Sequence, residues 1–189
     1  MGAAIVLAAA CAASAAPSKT KAPLSLTARV LRANELKDFK PAARPTVIKD
    51  ARKCAPSRYV SIIVLREHGF VACVREALAS KSFRSTGLST VTQFRTARGA
   101  REELATQVEI AKSKGSNYVG FRVRAIPHAH GYRLSSPGSR GYNVMFSDGP
   151  FLYLVGGGFH PAGKKHLTRF DVIRAAKRLY GRVHGHPGP

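Results

Sequence analysis

Alternation of apolar and polar residues predicts a series of strands in this chain. Apolar side chains fall on one side of an extended segment from Phe70 to Leu78, and a second β-rich run covers Leu88 to Phe94. Apolar and basic residues alternate strictly from Val119 to Ala125, and Tyr142 to Phe146 alternates as well. Because successive side chains of a strand point to opposite faces, these segments predict strands with one buried face.

A hairpin is predicted after these strands. Phe151 to Val155 is apolar at every position, which is typical of a central strand covered on both faces. The preceding Ser147-Asp148-Gly149-Pro150 predicts a tight turn, because glycine adopts positive φ without steric cost. We expect the glycines at 156–158 to end the sheet.

Helical periodicity marks three other segments. Residues 97–114 carry an apolar stripe and are followed by Gly115 as a stop signal. Residues 168–183 predict an amphipathic C-terminal helix, and Thr168 with Asp171 resembles a capping box. Residues 57–68 also show a helical stripe, although their β-branched and aromatic content leaves a strand as the alternative.

The order of these elements favours an α+β fold. It lacks regular βαβ alternation, so we expect a single antiparallel sheet of about five strands with helices packed on it. Residues 58–183 are predicted to form this domain. Residues 16–57 would be a Pro-rich basic arm, partly ordered against the domain, with one possible strand from Leu26 to Leu31. Residues 184–189 would be a flexible tail rich in His, Pro and Gly.

Two segments carry a resemblance to known proteins. Gly87 to Phe94, running into an Ala/Arg/Glu helix, resembles small exported actinobacterial proteins of unknown function. So does Asp148 to Gly156 with the helix that closes the chain. The general layout over residues 58–183 is also similar to extracellular sensor-like domains and PsbP/Mog1-like domains. This resemblance implies a binding module and carries over no functional residue.

The first residues indicate export. Residues 1–16 contain no charged side chain, and Ala13-Ser14-Ala15 supplies the small residues that signal peptidase requires. Residues 1–15 are therefore predicted to be a signal peptide of a secreted protein. Two alternatives stay open: lipidation at Cys11, which would produce a lipoprotein, and a cytoplasmic chain with an Ala-rich N-terminus.

The remaining cysteines fit an oxidising compartment. Either route of export takes Cys11 out of the thiol pool, which leaves Cys54 and Cys73. An even number of cysteines in an exported protein predicts a disulfide between them. The alternative is that both are small buried hydrophobic residues.

Composition excludes several classes of protein. The chain has 189 residues, 31 Lys+Arg against 10 Asp+Glu and 44% hydrophobic residues, which is too apolar for a disordered polycation. Nucleophile-elbow, phosphate-loop, dinucleotide and zinc-protease motifs are all lacking in the sequence. We therefore expect a protein that is not an enzyme and needs no cofactor.

The net charge of +21 predicts an anionic partner. For an exported chain this would be a cell-envelope polymer or lipid head groups, and for a cytoplasmic chain it would be nucleic acid. The alternative is a diffuse solvated surface. The candidate contacts are Arg122, Arg124, Arg133, Arg140, Lys164 and Lys165.

Histidines suggest a second possibility, an extracytoplasmic metal-binding protein. Six of the seven histidines follow residue 127. In an extended segment His128 and His130 would share one face, and His160 or His166 could add a ligand for Cu²⁺ or Zn²⁺. The alternative is that these are loop histidines without a partner.

Overall fold

The computed structural model describes residues 21–55, 60–80, 85–159 and 167–187. The predicted signal peptide, Cys11, His160, Lys164, Lys165 and His166 lie outside these ranges. The described strands are β1 (Phe39–Pro41), β2 (Val47–Ile48), β3 (Phe70–Ser80), β4 (Ser85–Phe94), β5 (Tyr118–Arg122), β6 (His130–Ser136), β7 (Ser139–Asp148) and β8 (Phe151–Phe159). The α-helices are α1 (Ala51–Cys54), α2 (Val60–Glu67), α3 (Ala97–Lys112) and α4 (Arg169–Val183), and 3-10 helices cover Leu26–Arg29 and Gly115–Asn117.

All eight strands form one antiparallel sheet in the order β1-β3-β4-β8-β7-β6-β5, with β2 also paired to β3. The α+β class and the single antiparallel sheet are confirmed, but the expected number of about five strands is wrong. Two of the additional strands, β1 and β2, come from the predicted arm. The third, β6, shows no clear alternation because one of its faces mixes polar His130 and Ser136 with Tyr132 and Leu134.

The glycines at 156–158 lie inside β8, which corrects the prediction that they end the sheet. β8 runs between β4 and β7, where Gly158 is paired with Thr86 and with Gly141. A Cβ atom on Gly157 would lie 2.6 Å from the Thr86 carbonyl oxygen. The chain needs glycine here because its neighbours approach the backbone closely, and pairing with those neighbours continues the strand.

Helices cover both faces of the sheet. On the first face, α4 packs across β7 and β8, and its buried side chains meet the core residues of the sheet. On the second face, α3 lies over β4, β8 and β7 through Ala100, Leu104 and Val108. The predicted capping box of α4 is present, formed by Thr168 with Asp171, and Thr96 caps α3 at the predicted start of that helix.

The segment from Leu26 to Leu31 is a 3-10 helix followed by an extended turn, so the prediction of a strand there is wrong. Its packing explains the difference. Arg29 is fully buried, donates through Nη1 to the Tyr153 hydroxyl at 2.9 Å and lies over the Phe151 ring. Its Nη2 donates to the carbonyl oxygens of His186 and Pro187, within the predicted tail. Leu26 and Arg29 are both buried and lie three residues apart, so a 3-10 turn places both on the inner side, whereas a strand would point them to opposite faces.

No helix among the described residues is long and apolar enough to cross a membrane.

Candidate functional site: a groove on the second face of the sheet

A groove lies between two helical walls on the second face. Helix α3 forms one wall. Helices α1 and α2, which pack along β3, form the other wall. The walls meet at one end, where His68 Nδ1 and Glu103 Oε2 are 2.9 Å apart. The inner part of the groove lies over β4 and β8, its outer part lies at the end of α3, and Leu88 lines both parts.

The inner part of the groove is narrow, with a volume of about 110 Å³. Its floor is built from β4 and β8, and Arg75 stands on its β3 side. The disulfide between Cys54 and Cys73 is present and forms part of the α1 wall, so the predicted bond is confirmed. The lining side chains that complete this part are Leu65, Leu88, Thr90, Thr92, Glu103, Gln107, Met145, Leu152 and Leu154.

Glu103 holds the α3 wall in position. Its side chain is 2% exposed, and Gln107 Nε2 donates to Oε1 at 2.6 Å while His68 occupies Oε2. Both carboxylate oxygens are therefore engaged, as a buried carboxylate requires. Glu103 is a structural support at the closed end of the groove rather than a free acid.

The outer part of the groove is wider, with a volume of about 510 Å³, and it shares Leu88 with the inner part. Its floor is low because β7 and β8 carry glycine here. A Cβ atom on Gly158 would find its nearest neighbours at 3.7 and 3.9 Å, so the space above this residue is open.

Hydroxyl, amide and ammonium groups line the outer part. Lys114 and Asn117 reach it from the end of α3, and Ser136 and Ser139 from the β6–β7 turn. The described residues that line it include no carboxylate. The other lining residues are Thr86, Gly87, Leu88, Leu134, Ser135, Gly141, Asn143, Gly157 and Gly158. Such a surface can hydrogen-bond a polar ligand and can neutralise a negative charge on it.

The arginines predicted to bind an anion do not form one patch in the described part of the chain. Arg133 pairs with Tyr142 and Arg140 pairs with Ser135, which makes the two arginines diagonal neighbours on the first face. Arg122 pairs with His130 and therefore points to the second face, and Arg124 follows β5 in a turn. Lys164 and Lys165 are outside the described residues.

The histidine pair also departs from its predicted geometry. His128 has φ of 54°, so the segment is not extended as a shared face would require. His130 opens β6 opposite Arg122 and Met145. Within the described ranges, no group of three or more His, Cys, Asp or Glu is placed to hold a metal ion.

Few of the basic side chains in the described ranges lie beside a carboxylate. All ten acidic residues lie in the described ranges, and three of them pair with Lys or Arg: Arg98–Glu102, Lys112–Glu109 and Arg182–Glu35. Two more carboxylates face histidines, His68 and His184. Most of the basic side chains in these ranges thus have no carboxylate beside them, so their field extends into solvent.

Reasoning from the sequence missed the groove and its residues. Lys114 and Asn117 follow a helix stop signal, and Asn143 lies in an ordinary strand pattern. The available signal was glycine at 141 and at 156–158, because clustered glycines inside strands mark a close approach or an open floor. Interpreting them as the end of the sheet hid that signal.

No model of a known protein family matches this chain, and no curated protein matches it. Among solved structures it is similar to the extracellular domain of PknH from Mycobacterium tuberculosis, with 16% identity, a TM-score of 0.58 and coverage of 84% of this chain and 94% of that one. It also matches an uncharacterised protein from Mycobacterium smegmatis, with 11% identity, a TM-score of 0.37 and coverage of 78% and 90%. The resemblance to actinobacterial extracellular domains is therefore confirmed at the level of the fold.

Proposed function

We propose that this chain is an extracytoplasmic recognition domain, not an enzyme, that binds a ligand in the groove. The observation that carries the proposal is the outer groove of about 510 Å³ with its glycine floor and polar rim. Three features support export: the apolar N-terminal segment, the Cys54–Cys73 bond and the fold shared with an extracellular domain.

The groove favours a polar ligand that carries negative charge. Lys114 supplies a cation, and the hydroxyl and amide groups of Ser136, Ser139 and Asn143 supply both donors and acceptors. A phosphorylated or carboxylated sugar matches this set, because its anionic group can face the Lys114 ammonium and its hydroxyls can bond to the serine and asparagine side chains. Export would make such sugars of the cell envelope available to the domain.

Amide chemical shifts in NMR spectra test this proposal with glucose 6-phosphate and glucuronic acid as probes. We expect saturable shifts at Lys114, Asn117 and Gly158. Gly158→Leu should abolish them, since its side chain fills the floor without backbone strain. Gly181→Leu is the matched control on α4, where nothing lies within 4 Å of the added Cβ, and it should keep binding. Shifts confined to other surfaces, or binding unchanged in Gly158→Leu, would contradict the proposal.

A second candidate function is binding of an anionic partner by the outer surface, favoured by the small number of ion pairs. The predicted contacts stay Arg122, Arg124, Arg133, Arg140, Lys164 and Lys165, and the partner would be an envelope polymer or a membrane surface. We expect retention on a sulfated matrix to weaken with salt. Comparing Arg122→Glu/Arg124→Glu with Arg133→Glu/Arg140→Glu would show which face carries the contact. Unchanged retention in both double variants would remove these arginines from the interface.

A further inference from the structure

The outer stripe of α4 combines exposed aromatic and basic side chains. Its opposite stripe, including Val172 and Leu179, is fully buried against the first face of the sheet. Phe170 is 61% exposed, the largest exposure among the large hydrophobic residues that the structure describes. The Arg169 guanidinium lies over its ring at 4.7 Å. At helical spacing, Arg174, Lys177 and Gly181 share this outward stripe with Phe170.

The surroundings of this stripe keep a positive balance. Asp171 is occupied in the capping box with Thr168, and Glu35 is paired with Arg182. Asp38 lines a depression with Arg174 and Arg178, and Glu35 and Asp171 line the same depression. Against these three acids stand the basic residues Lys37, Arg169, Arg174, Lys177, Arg178 and Arg182.

We propose that the outer stripe of α4 docks this domain on an anionic lipid surface. Phe170 enters the boundary between head groups and acyl chains, while Arg174 and Lys177 contact the anionic head groups. A soluble polyanion would require only the cations. The exposed phenylalanine among them favours a lipid surface, because burying its ring there removes apolar area from water.

This proposal rests on the anionic partner of the second candidate function and moves the contact from the predicted arginines to α4. It is independent of ligand binding in the groove. Because α4 and the groove occupy opposite faces of the sheet, docking through α4 leaves the groove turned toward solvent.

A tryptophan reporter tests the apolar part of the contact, since the chain contains no Trp. Phe170→Trp is mixed with phosphatidylcholine vesicles, with and without phosphatidylglycerol. We expect a blue shift of the emission only with phosphatidylglycerol, and quenching by brominated lipid. Ile63→Trp is the control, because Ile63 is 60% exposed on α2, over the other face, and its emission should not shift.

Co-sedimentation with the same vesicles tests the charges. Losing two head-group contacts should weaken binding of Arg174→Glu/Lys177→Glu by at least about 30-fold, because the introduced carboxylates are also repelled by the anionic surface. Phe170→Ala should weaken it about tenfold. The charge-matched control Lys49→Glu/Arg101→Glu lies on other elements and should retain most of the binding. Equal weakening in both double variants, or unshifted emission from vesicle-bound Phe170→Trp protein, would overturn docking through α4.

The same assay separates this proposal from the one it rests on. Binding to dextran sulfate without binding to anionic vesicles would overturn the lipid surface while leaving an anionic partner in place. Binding to neither would overturn both. Circular dichroism of each variant verifies that the fold is intact.

Discussion

At the scale of single residues, Glu76 is a buried carboxyl of the described core with one unpartnered oxygen. Its side chain is 2% exposed, on the first face of β3, and Oε1 has no hydrogen-bond partner among the described residues. Burial raises the pKa of this carboxyl above its usual value, and a hydrogen bond with the Ala43 backbone opposes the rise only in part. Folding therefore favours the protonated form of Glu76.

This shift predicts that Glu76 destabilises the protein as pH rises. The contribution of the protonated carboxyl is present below the usual pKa of 4.5 and is lost as pH climbs through the higher pKa of the folded state. Glu76→Gln should flatten that decline and raise the unfolding free energy at pH 7 by about 1 kcal/mol. Urea unfolding between pH 4 and pH 8 measures both effects. The exposed Glu67→Gln serves as control, and parallel curves for Glu76→Gln and the unmodified protein would contradict the prediction.

At the scale of elements, buried Arg29 joins the first and last described segments to the sheet. Besides the Tyr153 hydroxyl and the carbonyls of His186 and Pro187, it donates from Nε to the Leu24 carbonyl at 3.3 Å. Burial raises the pKa of Tyr153 to about 12, although the Arg29 charge acts in the opposite direction. A buried guanidinium without a carboxylate is tolerated here because these oxygens and the Phe151 ring face its charge.

Arg29→Met should therefore lower stability by about 2–4 kcal/mol, since it leaves buried oxygens without donors. Urea unfolding at pH 7 measures this loss of stability. Arg32→Met, on an exposed neighbour, is the matched control and should change stability little. A similar unfolding free energy for the two variants would show that Arg29 does not hold these segments together.

At the scale of the whole molecule, the Cys54–Cys73 bond ties a groove wall to the sheet. The bond joins α1 to β3 across 19 residues of sequence, and that loop includes α2. Closing such a loop restricts the unfolded chain, which stabilises the native state.

Reduction should consequently lower the unfolding free energy by about 3 kcal/mol. The Cys54→Ala/Cys73→Ala variant should start from that lower value and be insensitive to reductant. Thermal unfolding with and without dithiothreitol distinguishes the bond from simple packing of two small side chains. A double variant as stable as the oxidised protein would contradict the prediction.

Much of the fold could be predicted from local patterns. The capping box at Thr168, the stripe of α3 and the hairpin between β7 and β8 all depend on residues a few positions apart. No strand was predicted at β6, because its second face carries polar His130 and Ser136 beside Tyr132 and Leu134, which breaks the alternation.

By itself, the sequence determined the class of fold, the main helices and strands, and the pairing of the two cysteines. Periodicity and caps depend on residues a few positions apart, and the cysteines can be counted without knowing the fold. Only the tertiary structure decided the groove, which combines Thr86, Lys114, Asn143 and Gly158 from four separate segments. It also decided that Arg29 is buried and that the predicted arginines divide between two faces. Strand order and distant hydrogen-bond acceptors depend on packing of the whole chain, and no local pattern encodes them.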